Sequence, residues 1–150
     1  FQTEKSLKIK IEVDTVPPLK FETEQKLLLQ PFAFRVRCFT LPDLFAGKLH
    51  ALVFRGWKNR IKGRDWYDFD WYVRNGVPLD YAHLRERIRD SNGVDMDYDQ
   101  FKVLLKEKLA TADIGMVKED VKSFILDLRE LEIWSNDYFL QLADLIKLKK

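Results

Sequence analysis

The first 40 residues carry the period-two pattern of β-strands. Over residues 6–14, apolar and charged side chains alternate, which predicts a half-buried strand. Pro17 and Pro18 end this pattern, because proline cannot donate a hydrogen bond to a strand ladder. A second alternation over residues 32–39 predicts another strand, with residues 15–30 as the connection between them. Since two strands alone are marginal in water, both are expected to belong to a larger sheet.

From Thr40 onward the spacing of apolar residues becomes helical. Thr40 is a suitable N-cap, and a helix is predicted to run to about Phe54, where Gly56 breaks it. Asp65 then opens a short aromatic helix that reaches about Val73. The period therefore changes from strand to helix at residue 40.

The chain beyond residue 76 is predicted to be entirely helical. Apolar residues at helical spacing mark helices around residues 84–88, 101–109 and 117–128, and Ser135 is the predicted cap of a last helix. The acidic run at residues 95–99 is interpreted as a helix start, because it lacks the glycine and the glutamate that a calcium loop needs.

We therefore expect an α+β fold, with part of a larger β-sheet followed by a mostly α-helical C-terminal region. Residues 1–40 would hold the remaining strands, residues 41–75 the helices with the candidate chemistry, and residues 76–150 the helical region. Phe1 is not a methionine, and strand-like sequence begins soon after it. An N-terminal segment is for this reason expected to be missing.

Composition excludes several classes of protein. The 26 basic and 24 acidic side chains leave a net charge of +2, so any attraction for nucleic acid must come from a local basic patch. A single cysteine, Cys38, excludes an internal disulfide framework and a cysteine-rich zinc site, which fits the cytoplasm. No local signature of a serine or cysteine hydrolase is present, and no apolar run approaches the roughly 20 residues of a membrane span.

Lys48 lies in the middle of an apolar stripe on the helix predicted from residue 41. An ammonium among apolar neighbours is unfavourable unless it meets an anion or reaches water. In one interpretation the lysine reaches the surface along its methylene groups. In the other it points into a cleft and neutralises a phosphate, and the small residues Gly47 and Ala51 let a ligand come close.

Asp65 follows a strongly basic loop. A carboxylate beside so many cations is expected to stay ionised, and to accept a proton or orient a hydroxyl. Asp68 shares its helix face and is interpreted as a first-turn acid favoured by the helix dipole. The loop is either ordinary solvated surface or, with Trp57 and Trp66 interleaved, a contact for a polynucleotide. Its cations are Arg55, Lys58, Arg60, Lys62 and Arg64.

Glu12 and Asp14 project from the same face of the first predicted strand. Carboxylates two residues apart on a strand can hold Mg²⁺ together. A pair of this kind on a strand is usually ordinary surface, and its interpretation as a metal site depends on the company of Lys10, Lys48 and Asp65.

Three segments in combination resemble the last three motifs of AbiEii/AbiGii-type nucleotidyltransferases. They are KIKIEVD at residues 8–14, LPDLFAGKLHAL at residues 41–52 and KGRDWYD at residues 62–68. Their order and spacing are similar as well, and the helical region after residue 76 resembles the C-terminal half of that family. The resemblance therefore covers nearly the whole chain.

The resemblance implies a DNA-polymerase-β-like fold in the toxin of a bacterial toxin–antitoxin or phage-defence pair. Such enzymes transfer a nucleoside monophosphate from an NTP to a hydroxyl, so Mg²⁺, an NTP, an antitoxin and an RNA acceptor such as tRNA are expected cofactors and partners. By resemblance Glu12 completes the metal site, and Lys48 contacts the triphosphate, together with Lys10 and Arg64. Asp65 would be the catalytic aspartate.

The chain departs from the family pattern at one place. It lacks the glycine-serine turn and the Asp-x-Asp pair that bind phosphates and metal, so we expect it to be inactive by itself. The alternative is a non-enzymatic helical module that binds a partner or nucleic acid. A metal-dependent nuclease that uses Glu12, Asp14 and Lys48 would leave the Arg64-Asp65 motif unexplained.

Overall fold

The fold is α+β and dominated by helix, as the sequence predicted. It is seen in a computed structural model that describes residues 8–56 and 61–150. Within these ranges the elements are β1 (Thr23–Leu28), β2 (Phe34–Phe39), α1 (Leu41–Phe54), α2 (Gly63–Arg74), α3 (Tyr81–Asn92), α4 (Tyr98–Thr111), α5 (Ile114–Val121) and α6 (Asn136–Asp144), with 3₁₀ turns at Lys122–Phe124 and Leu128–Leu131.

The two strands form an antiparallel pair in which Thr23 lies opposite Phe39. β2 confirms the strand predicted over residues 32–39. β1, in contrast, lies in the stretch that was predicted to be a connection, and residues 8–14 form no strand. The reason is that β1 is mostly polar and exposed on both faces, so alternation does not reveal it. A strand depends on a pairing partner, and alternation alone does not supply one.

Helix starts follow the predicted capping chemistry in most places. The Asp97 side chain accepts a hydrogen bond from the Gln100 backbone in a full capping box, and Ser135 caps α6 by accepting from the Tyr138 backbone at 3.1 Å. Both predictions are confirmed. Thr40 precedes α1 but makes no side-chain cap, and its hydroxyl donates a hydrogen bond to the Asp43 carboxylate.

The helix predicted over residues 117–128 is interrupted. α5 ends at Val121, and Ile125 is extended. Asp127 then accepts a hydrogen bond from the Arg129 backbone at 3.1 Å. An aspartate that binds the backbone locally competes with helix continuation, and here it starts a separate turn.

The hydrophobic core surrounds α2. Trp66 meets Phe139 of α6 edge to face, with ring centroids 4.8 Å apart. Phe45 of α1 stacks on Tyr72 at 4.9 Å. Large buried side chains on both α1 and α2 therefore fix these helices against each other, which also fixes the polar residues between them. Within the described ranges, no helix is both long and apolar enough to cross a membrane.

Candidate functional site

Lys48 and Asp65 line the same cavity. It has a volume of about 600 Å³ and lies between α1, α2, α3 and the turn that follows α5. Its polar walls contain five cations and three carboxylates, which are Lys48, Arg55, Lys62, Arg64, Arg87, Asp43, Asp65 and Asp68. Cavities of this size accommodate small-molecule ligands, and the excess of cations favours an anionic one.

Lys48 lies at the edge of the buried face of α1. Phe45 and Leu49 are fully buried, whereas Leu44 is 39% exposed, so the stripe seen in the sequence is buried on one side only. The lysine ammonium reaches the cavity and lies 2.7 Å from Asp68, with 45% of the side chain exposed. Asp68 is therefore an ion-pair partner of Lys48. Its interpretation as a first-turn acid is wrong, because α2 begins at Gly63 and Asp65 is the acid of its first turn.

Asp65 is 7% exposed and lies on the first turn of α2. Burial raises the pKa of its carboxyl, although Arg55, Lys62 and Lys48 act in the opposite direction. Arg55 Nη1 donates a hydrogen bond to Asp65 Oδ2 at 3.3 Å. The cations act as the sequence predicted, but burial is the larger effect. A carboxylate with a raised pKa is a stronger proton acceptor than a free aspartate.

Gly63 sets the position of this aspartate. A Cβ at Gly63 would lie 2.3 Å from the Val117 carbonyl oxygen, a distance that real Cβ contacts do not reach. The Gly63 N–H also donates to Asp120 Oδ2 at 2.9 Å. The glycine of the Gly-Arg-Asp motif thus allows the start of α2 to pack directly against the backbone of α5, which places Asp65 at the cavity.

Arg64 lines the cavity next to Phe124. Its guanidinium is 5.0 Å from the centroid of the Phe124 ring, and both residues line the cavity. A cation held over an aromatic face remains available to an anion at its edge. The predicted nucleotide-binding role of Arg64 stays a prediction.

Lys10 and Glu12 lie outside this cavity. They form an ion pair with each other in an exposed segment, and 73% of the Glu12 side chain is accessible. In the part of the chain that the structure describes, no group of three or more acidic, histidine or cysteine side chains could hold a metal ion. The described residues therefore do not by themselves fit Mg²⁺, and the metal role of Glu12 stays a prediction.

The basic loop is only partly described. Arg55 and Lys62 line the cavity, whereas Lys58 and Arg60 lie outside the described residues. The proposed contact with nucleic acid is for this reason an expectation that rests on Arg55 and Lys62.

Two further residues of the cavity were not found from the sequence. Arg87 reaches in from α3, and Asp43 lies on the first turn of α1 with 2% exposure. α3 contains several arginines, and nothing in the pattern distinguishes Arg87 from Arg85 and Arg89. Its only signal is the helical spacing of four residues from buried His83.

A known protein family matches nearly the whole chain. The family described as nucleotidyl transferase AbiEii toxin, type IV TA system, matches residues 2–147. Searches of curated proteins and of solved structures found no match. Since the family match spans nearly the whole chain, this protein belongs to the AbiEii family of nucleotidyltransferase toxins.

Proposed function

We propose that this protein binds an NTP in the cavity between α1 and α2, and that the complete site transfers a nucleoside monophosphate to a hydroxyl of an RNA such as tRNA. Family membership supports nucleotidyl transfer and a toxin of a type IV toxin–antitoxin system, and with it an antitoxin partner. NTPs and tRNA are both available in the cytoplasm, where we place the activity.

One observation carries the proposal. Lys48 and Asp65, from two separate sequence motifs, line one cavity with Arg64, and buried aromatic residues of α1 and α2 hold the two helices in place. Phosphoryl transfer depends mainly on neutralising phosphate charge and aligning the attacking oxygen. A cation-rich cavity in which a buried carboxylate, Asp65, lies near Lys48 and Arg64 matches both requirements.

Three residues of the cavity have separate roles in the proposed reaction. Lys48 and Arg64 neutralise phosphate oxygens, and Asp65 accepts the proton of the attacking hydroxyl. A bond forms between that oxygen and the α-phosphorus, the bond to the β-phosphate oxygen breaks, and pyrophosphate leaves. The Lys48 and Asp68 ion pair holds the lysine at 2.7 Å until phosphate replaces the carboxylate as its partner.

Titration calorimetry with each of the four NTPs tests the binding step. Lys48→Met is expected to weaken binding by about tenfold or more, because one charge-assisted contact to phosphate is lost. Lys102→Met serves as the matched control, since Lys102 pairs with Asp144 away from the cavity. Equal NTP affinity in the Lys48→Met variant and the unmodified chain would contradict the proposal.

Label transfer from an α-labelled NTP to RNA, with Mg²⁺ present, tests the chemical step. We expect Asp65→Asn to bind NTP normally and to support no transfer in any form of the protein that is active. If the protein binds RNA or an antitoxin but no NTP, the non-enzymatic module is the better description. Cleavage of RNA without NTP would instead indicate a nuclease.

A further inference from the structure

Arg87 lines the cavity and has no ion-pair partner among the described residues. Its side chain is half-buried, and its Nε is fully buried with no hydrogen-bond partner. In the described ranges no carboxylate lies within salt-bridge distance of its guanidinium, whereas Arg85 and Arg89 on the same helix both pair with Asp95. Arg87 therefore differs from its helical neighbours in lacking an internal counter-ion.

A buried donor without a partner is unfavourable, and a charged one more so. Proteins retain such groups where a ligand satisfies them. The guanidinium presents its donors in a planar fork that fits two phosphate oxygens at once. The partner that Arg87 lacks is consequently an oxyanion, and the oxygen atoms of a phosphate group match the geometry of the guanidinium.

Gly47 leaves room for this approach. The Arg87 Cζ lies 3.7 Å from the position that a Cβ on Gly47 would occupy, so the guanidinium crosses directly over the α1 backbone. Lys48 is the next residue along α1 and faces the same cavity. An anion between α1 and α3 would thus lie within reach of both cations.

The cavity contains a second buried atom without a partner, Oδ1 of Asp43. Asp43 precedes Gly47 by one helical turn, and its other oxygen accepts a hydrogen bond from the Glu22 backbone at 3.0 Å. A ligand that satisfies both atoms needs an anionic group for Arg87 and a donor group for Asp43. Phosphates together with sugar hydroxyls meet this description, whereas a bare anion meets only half of it.

From these contacts we propose that Arg87 is a phosphate-binding residue of the nucleotide site, supplied by α3 and not by any of the three sequence motifs. The inference rests on the proposed function, because it deepens the assignment of the same cavity. Lys48 is paired with Asp68 in the free protein, whereas no carboxylate of the described residues neutralises the charge of Arg87.

Calorimetric titration with inorganic tripolyphosphate and with each NTP tests this role. Arg87→Met is expected to weaken the binding of both ligands by about tenfold or more. Arg87→Lys should weaken it by less, because lysine keeps the positive charge but lacks the planar fork of donors. Arg85→Met is the matched control on the same helix and is expected to bind normally. Melting curves check folding, and the Arg87→Met variant is expected to be at least as stable as the unmodified chain, since it removes a buried donor that has no partner among the described residues.

The outcomes separate this inference from the function on which it rests. If Arg87→Met binds NTP as tightly as the unmodified chain while Lys48→Met does not, Arg87 is not a phosphate contact and the proposed function stands. If tripolyphosphate binds through Arg87 but no NTP binds, the phosphate site stands and the nucleotide assignment fails. If the unmodified chain binds neither ligand, both are overturned.

Discussion

Gly63→Ala is the substitution whose effect the structure defines most sharply. The new methyl group would lie 2.3 Å from the carbonyl oxygen of Val117 and 2.9 Å from both the backbone nitrogen and the Cβ of Val121. Two of these three atoms belong to the backbone of α5, so no side-chain rotation relieves the clash. α2 and α5 must instead separate by a distance on the order of 1 Å, which loosens a close-packed contact.

The expected cost follows from the kind of atoms involved. Overpacking a well-packed contact destabilises by about 1–3 kcal/mol, and a clash with backbone belongs at the upper end, about 3 kcal/mol. For a chain of this size, each kcal/mol lowers Tm by roughly 2–4 °C. We therefore expect Tm to fall by roughly 6–12 °C, with the Gly63 hydrogen bond to Asp120 weakened as well.

Differential scanning calorimetry and urea unfolding measure this change. Gly56→Ala is the matched control, since no atom lies within 4 Å of its added Cβ and its backbone is not in the left-handed region. At such a position alanine is neutral, or stabilises by about 0.4–1 kcal/mol. If Gly63→Ala melts within about 2 °C of the unmodified chain, the close approach of α2 to α5 is not as described and the placement of Asp65 loses its support.

Three further substitutions test other parts of the structure. Asp65→Asn is expected to be more stable than the unmodified chain at pH 7, because burial raises the pKa of Asp65 above its ordinary value of 3.8. The folded state then binds more protons than the unfolded one, so stability falls as pH rises through the interval between the two pKa values. The stability advantage of Asp65→Asn over the unmodified chain should vanish below that interval, and urea titrations at several pH values measure this change. An Asp65→Asn variant that is less stable than the unmodified chain at pH 7 would contradict the prediction. Asp97→Ala removes the cap of α4 and should cost about 1 kcal/mol by the same titrations, whereas no measurable loss would mean that the capping box contributes nothing. Phe139→Ala should cost about 3–5 kcal/mol, because its ring is fully buried against Trp66, and the exposed residue Phe124 provides a comparison that should change little.

Helix-forming segments could be predicted because their signals are local. Proline, capping residues and apolar spacing all lie within a few residues of each other, so α1, the start of α4 and the Ser135 cap are read directly from the chain. β1 could not be predicted in this way. Its pairing with β2 depends on residues about ten positions away, and its exposed polar sequence carries no alternation.

The candidate site was predictable only where residues come in motifs. Lys48 and Asp65 were found because each lies in a recognisable run, and the cavity contains both. The Asp68 partner of Lys48 and the unpaired Arg87 depend on how α1 packs against α2 and α3. Sequence spacing says which residues share a helix face, but not which face of a neighbouring helix they meet.

The unfavourable groups of this protein are concentrated in one place. Asp65 is buried with a raised pKa, and Asp43 and Arg87 each keep a buried atom without a partner, all on the wall of the same cavity. Elsewhere in the described ranges, buried side-chain polar atoms have partners. Folding alone favours buried polar groups that are neutral or that have hydrogen-bond partners. A cavity lined by buried groups that are charged or lack partners is therefore better explained by a ligand that supplies those partners. In the proposed reaction a nucleotide would supply phosphates for Arg87 and a hydroxyl for Asp43, and the attacking hydroxyl of the acceptor would supply a proton to Asp65.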